Sequence, residues 1–209
     1  MAQINISLLG AGYWGSKIAK QLEVLTHVNK VEIVDIKDGK TIDDVQYKNV
    51  IVATPAWDHY DQTCKLLERG HNLYVEKPLA LTSHECEDIK SRIDAQILLV
   101  GHIFLYNERV QKIKELIDSG KIGEVQYIES TRQNWGRFQT RISTLLSLAP
   151  HDVSIIHYLL GYEPFTDIAY KGINLSVIYS FFILDDNPLS LIHISEPTRP
   201  LYISYAVFC

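Results

Sequence analysis

Along the first hundred residues, short unbroken apolar runs alternate with stretches in which apolar residues recur every three or four positions. Residues 4–9 (INISLL) form one such run ahead of Gly10, and 31–36 (VEIVDI), 49–54 (NVIVAT), 72–76 (NLYVE) and 96–101 (QILLVG) form four more. Continuous β-branched and aliphatic runs of this length predict strands buried on both faces of a parallel sheet. Between them, Ile18, Leu22 and Leu25 give helical spacing over 14–25, and 57–69 reads as a helix closed by Gly70. The T-x-x-E box Thr82 to Glu85 opens a helix to about residue 94. Strands alternating with helices predict an α/β fold with a doubly wound parallel sheet.

The pattern changes after about residue 120. Residues 121–134 (KIGEVQYIESTRQN) alternate in period two, as in a strand with one wet face. A helix follows over 147–160, then a strand-like run over 173–182 (INLSVIYSFF). The expectation is a first domain over residues 1–120 and the opening of a second, α+β domain over 121–188, cut off before its sheet is complete.

The chain has 209 residues, 46% of them hydrophobic, with 25 acidic against 20 basic side chains and a formal charge of −5. That composition is globular and offers no basic run to track a phosphate backbone, so nucleic acid is not an expected partner. No apolar run approaches the roughly 20 residues that a membrane helix needs. Cys64, Cys86 and Cys209 have neither metal-ligand spacing nor an even disulfide framework. With no leader-like segment at Met1, a cytoplasmic protein without a metal is expected.

Residues 189–209 (LSLIHISEPTRPLYISYAVFC) stand apart. They resemble the translation of a transposon-type sequencing adapter: its two fixed parts encode Leu189 to Arg199 and Ile203 to Cys209 residue for residue, and three codons remain for an index. The natural sequence is accordingly expected to end near Pro188, leaving an N-terminal fragment.

The first chemical motif is Gly10-Ala11-Gly12-Tyr13-Trp14-Gly15, a G-x-G-x-x-G between a predicted strand and a predicted helix. Gly10 permits the tight turn, Gly12 lets backbone approach a pyrophosphate, and Gly15 lets helix pack on strand, with the phosphates at the helix N-terminus. Asp35 ends the second strand 20 residues after Gly15, where a carboxylate accepts the ribose hydroxyls. A dinucleotide is the implied ligand. An acid at 35 favours NAD over NADP, while Lys37 and Lys40 nearby leave NADP open. The second motif, Thr54-Pro55 with His59, and the third, Glu76-Lys77-Pro78, follow the third and fourth strands, where open α/β sheets bind ligands. Lys77 at that crevice is placed to stabilise a developing alkoxide. His59 reads equally as a solvent-facing residue at a helix start or as a cofactor contact.

In this order, GAGYWG, VATP with its following His, VEKP, VGHIFLYN, IGEVQYIESTRQNWGR and LAPHDVSIIHYLLG resemble the Gfo/Idh/MocA oxidoreductases, over about residues 3–165. The resemblance implies a Rossmann-type sheet followed by an open-faced antiparallel-sheet domain, and hydride transfer between NAD(P) and a sugar, polyol or nucleotide-sugar carbon. It implies Lys77 and His151 as the catalytic pair, with an imidazole suited to removing a hydroxyl proton near neutral pH, and a cis Lys77-Pro78 peptide. Cofactor contacts are then expected from Gly10, Gly12, Tyr13, Trp14, Gly15, Asp35, Thr54, Pro55, His59, Glu76 and Lys77. Tyr106 and Asn107 are placed for cofactor or substrate, Arg132, Asn134 and Arg137 for a substrate phosphate or carboxylate. The full-length parent is expected to be a homo-oligomer and this fragment inactive.

Two departures stand out. Ser147 occupies the position four residues before His151 where many members carry Asp, and a hydroxyl cannot stabilise an imidazolium by charge. Only 14 residues, 36–49, follow Asp35 before the next strand, where members usually insert a helix and a strand; a missing inner strand or a shortened crossover is expected. Two other functions stay open: an imine or biliverdin-type reductase using NADPH, and a dinucleotide-binding module without turnover.

Overall fold

The computed structural model describes residues 3–125, 127–131, 141–161, 167–173, 177–183 and 204–208, and the chain divides into two compact units, residues 1–101 and 102–209. The division falls earlier than the sequence pattern suggested.

The first unit is a five-stranded parallel sheet: β1 (Ile4–Leu9), β2 (Val28–Val34), β3 (Asn49–Val52), β4 (Asn72–Val75) and β5 (Leu98–Val100), in the order β2-β1-β3-β4-β5. In register, Leu9 lies beside Val34 on one side and Val52 on the other, and Val52 beside Val75. These residues share a face and form the core with Cys64, Leu66 and Leu67 of α2 (His59–Glu68) and Ile89 of α3 (Ser83–Ser91). By strand alternation Ile6 and Leu8 point to the opposite face, and both are buried. Helix α1 (Gly15–Glu23) lies against β1 and β2 with Ala19 and Leu22 buried. Thr82 and Glu85 form the predicted capping box of α3.

Of the two outcomes expected after Asp35, the structure shows the shortened crossover. No inner strand is missing; β2 is left as an edge, and residues 36–48 cross to β3 by two single 3-10 turns, Ile36–Asp38 and Ile42–Asp44. The short crossover is tied down by side chains. Ser7 Oγ donates to Glu32 (2.7 Å) and accepts from the Tyr47 N–H (3.2 Å), while Glu32 also accepts from the Gln46 N–H. Lys30 and Glu32 mark the open strand with charge, which discourages pairing with another chain.

In the second unit, α4 (Glu108–Asp118) packs Val110, Ile113 and Ile117 against Ile155, Ile156 and Leu159 of α5 (Thr144–Leu160) and against Ile128 of β6 (Tyr127–Thr131). Helix α4 was not foreseen. Helix α5 starts earlier than 147, where the Ser143 hydroxyl accepts from the Leu146 N–H, and carries Pro150 inside it. In place of one strand over 173–182 there is an antiparallel pair, β7 (Asp167–Ile173) and β8 (Val177–Ile183). The tail set aside on sequence supplies β9 (Ser204–Phe208), antiparallel to β6. Among the described residues, no helix is long and apolar enough to cross a membrane and no group of three His, Cys, Asp or Glu side chains could hold a metal.

Leu66 is fully buried in the first core. Leu66→Ala is expected to lower the unfolding free energy by about 2–5 kcal/mol, read from urea unfolding curves.

Candidate functional site

The crossover from β1 runs to β2 on one side and the next strand, β3, lies on the other, so the strand order reverses at β1. At such a switch point the loops leaving the two strands diverge and open a crevice at their carboxyl ends. The loops that flank it here are 10–14 after β1 and 53–58 after β3.

Gly10 continues the ladder, donating its N–H to the Val34 carbonyl at 2.9 Å, and then turns with φ +91°. A β-carbon there would lie 2.9 Å from the Ala53 carbonyl group and from the Thr54 methyl. Gly15 begins α1, and a β-carbon on it would lie 2.0 Å from the Gly10 carbonyl oxygen. At Gly12, by contrast, the same test meets nothing within 4 Å. Two glycines are therefore demanded by the chain itself, and the third faces open space beside the N-terminus of α1.

Asp35 joins β2 to this turn. One carboxylate oxygen accepts from the Ala11 N–H at 2.6 Å and the other from the Lys37 N–H at 2.9 Å, and the residue is only 7% exposed. The two donors, Lys37 first and Ala11 next, hold its carboxyl below the ordinary carboxylate range against the opposing effect of burial; the Lys37 charge adds to this. The Lys40 ammonium is turned to the Ile33 carbonyl at 3.0 Å.

On the far side of the crevice, Thr54 Oγ1 donates to Gln62 at 2.6 Å, and Pro55 leads through a 3-10 turn into α2. Glu76, just beyond β4, accepts from the Trp14 indole N–H at 2.8 Å and from the Tyr74 hydroxyl at 3.3 Å. Gly101 makes room for this pair, since a β-carbon on it would lie 2.9 Å from the Tyr74 oxygen. The Lys77-Pro78 peptide is cis. Tyr13 and Trp14 are exposed, with the Lys17 ammonium 2.9 Å from the Tyr13 hydroxyl and over both rings.

His59 answers neither of its two sequence readings. It is 1% exposed, and its ring nitrogens lie 2.7 Å from the Pro78 carbonyl oxygen and 2.9 Å from that of Thr54. A ring so placed holds chain rather than cofactor. Asn107 is likewise reassigned: its side chain accepts from the Arg109 N–H and caps α4. Tyr106 is 70% exposed at the end of the preceding 3-10 turn. Arg132, Asn134 and Arg137 lie outside the described residues.

Lys77 and His151 belong to different units. Within its own unit, the His151 ring meets Phe104 edge to face, centroids 4.8 Å apart at 79°. The neighbouring Asp152, overlooked in the sequence, is 1% exposed and accepts from Ser130 of β6 at 2.9 Å. Its position beside the His was visible; its burial was not.

A family profile described as "Oxidoreductase family, NAD-binding Rossmann fold" matches residues 12–102, and one described as "GFO/IDH/MocA C-terminal domain" matches 110–175. The chain is 29% identical to 2,7-anhydro-N-acetylneuraminate hydratase of Mediterraneibacter gnavus, over 78% of this chain and 51% of that protein. It is 28% identical to scyllo-inositol 2-dehydrogenase (NAD(+)) of Bacillus subtilis, over 77% and 55%. The chain thus spans about half the length of these relatives. Scyllo-inositol dehydrogenase from Lactobacillus casei, solved with bound NAD(H) and scyllo-inositol, shares the fold with TM-score 0.79 at 17% identity, over 99% of this chain and 74% of that one.

Because the folded-state pKa of Asp35 is depressed, its contribution to stability is complete above the unfolded carboxylate range, about pH 4, and is lost as pH falls through the lower folded value. Unfolding free energies measured from pH 6 downwards are expected to show a steeper acid limb in the wild type than in Asp35→Asn.

Proposed function

The chain belongs to the GFO/IDH/MocA oxidoreductase family, and from that premise we propose that the protein it comes from transfers a hydride between NAD and a hydroxyl-bearing carbon of a sugar, polyol or nucleotide sugar. One observation carries the cofactor half of this reading: Gly12 leaves open space beside a helix N-terminus, one strand from the ionised Asp35.

The residues fit a dinucleotide. The dipole at the start of α1 and the glycine-rich backbone leading into it attract a pyrophosphate. The Asp35 carboxylate has about four acceptor sites, of which backbone takes two, leaving two for ribose hydroxyls. Its negative charge opposes a ribose 2′-phosphate, and Lys40 is occupied on Ile33, which favours NAD. When bound, the nicotinamide supplies the hydride chemistry. Lys77 Nζ donates to the substrate oxygen and stabilises negative charge developing there. His151 takes the hydroxyl proton through its imidazole. Trp14 and Glu76 fix the turn on which the cofactor rests.

A second reading is favoured by the relatives named 2,7-anhydro-N-acetylneuraminate hydratase, namely net addition of water to an anhydro-sugar. Nicotinamide absorbance separates the two: it accumulates with substrate in the first and not in the second.

Two outcomes test the leading reading. Gly12→Ala is expected to leave the unfolding midpoint of the chain in place, since its β-carbon meets nothing, yet to weaken NAD binding in calorimetry by tenfold or more, about 1.4 kcal/mol. Equal NAD affinity in Gly12→Ala would remove the pyrophosphate from this turn. In the full-length gene product, assayed with NAD and a panel of polyols and nucleotide sugars, Lys77→Ala is expected to cut turnover by roughly 10²–10⁴; no reduced cofactor from any substrate, with Lys77→Ala indistinguishable from wild type, would reject the assignment.

A further inference from the structure

His59 is one of the most deeply buried polar side chains of the first unit, 1% exposed. What it touches is backbone. Its Nδ1 is 2.7 Å from the carbonyl oxygen of Pro78, the residue after Lys77, and its Nε2 is 2.9 Å from the carbonyl oxygen of Thr54 at the end of the β3 loop. Both partners are acceptors only, because a carbonyl oxygen has no proton to give.

We propose that His59 is a positioning residue for Lys77: its ring donates from both nitrogens and straps the Glu76-Lys77-Pro78 turn to the loop after β3. A neutral imidazole has a single N–H, and its other nitrogen would then point a lone pair at a carbonyl oxygen less than 3 Å away. Donation to both oxygens requires the second ring proton. Bonds from such a ring to both carbonyl oxygens would be charge-assisted. The charged side chains on the segments that carry the ring and its acceptors are Asp58, Asp61, Lys65 and Glu68 along the 56–68 stretch, and Glu76 and Lys77 ahead of Pro78.

The strap matters because of what lies on either side of Lys77. The preceding Glu76 holds Trp14 of the glycine-rich turn at 2.8 Å, and the following Pro78 is held by His59. Thr54, the other end of the strap, is itself fixed by its hydroxyl on Gln62. Lys77 therefore leaves the chain between two anchored neighbours, one tied to the loop after β1 and the other to the loop after β3. The value of that placement for catalysis rests on the role proposed for Lys77; the strap itself does not.

The test reads no turnover, so its failure and that of the hydride-transfer reading are separable. In the ¹⁵N-labelled chain, histidine-ring correlation spectra are expected to show protons on both His59 nitrogens, exchanging slowly with water. After reductive ¹³C-methylation of the lysines, with the Lys77 signal assigned by Lys77→Arg, His59→Phe is expected to displace that signal and leave Lys114 of the second unit unmoved. His59→Gln, which keeps an amide donor, is expected to return the Lys77 signal toward its wild-type position. A wild-type ring with one unprotonated nitrogen overturns the proposal, as does an unmoved Lys77 signal in folded His59→Phe. Should His59→Phe not fold, the wild-type ring spectrum and His59→Gln decide.

Discussion

A carbonyl oxygen at Gly10 occupies the place that a β-carbon on residue 15 would need, 2.0 Å away. Everything else at the crevice is built around that backbone-on-backbone contact. It brings the first turn of α1 down onto the end of β1, and Gly10 in turn lies against the Ala53 peptide and the Thr54 methyl, where the two loops leave the sheet. Any larger residue at 10 or 15 would push helix from strand and separate the N–H groups of α1 from the carboxyl edge of the sheet. The glycines at 10 and 15 thus answer to the chain, which makes no such demand at 12.

Asp35 reinforces the same contact from the other side. By accepting the Ala11 N–H, it ties the turn to β2, and by accepting the Lys37 N–H it ends that strand and starts the crossover. Its charge is kept because both bonds are to donors that favour the ionised form. A structural carboxylate and a ligand-binding one compete for the same lone pairs only if each needs all of them. With two sites committed and about two remaining, one side chain can serve the fold and a ribose together.

How far the sequence disclosed this depends on which physical signal each element carries. Buried parallel strands announce themselves by unbroken apolar runs, and the glycine turn by a spacing that only close backbone approach explains, so both were legible. Helix α4 had its signal too, Val110, Ile113 and Ile117 behind an N-capping Asn107. There Asn107 drew attention as a polar contact, because cap and ligand-binding residues are of the same types. His59 was ambiguous because motif position says nothing of burial, and its partners are carbonyls that every residue owns. The edge position of β2 was hidden for a related reason: a short crossover tells how much chain is available, but strand order depends on which neighbour completes the ladder. The β6–β9 pairing draws on residues that sequence reasoning had set outside the fold altogether.

The second unit raises a narrower question about charge. Ser147 stands four residues before His151, one helical turn away and on the same side of α5, at the position where the family resemblance implies Asp. Asp152 is the acid nearest in sequence, and its hydrogen bond lies with β6 rather than along the Ser147 side of the helix. A step of one residue along a helix rotates the side chain by about 100°, and Asp152 is buried on the opposite task, accepting from Ser130 to hold α5 on β6. Exchanging it toward the imidazole would strand the Ser130 hydroxyl in the core at a cost of about 1–3 kcal/mol. Within α5, then, the one carboxylate is engaged in holding the helix on β6.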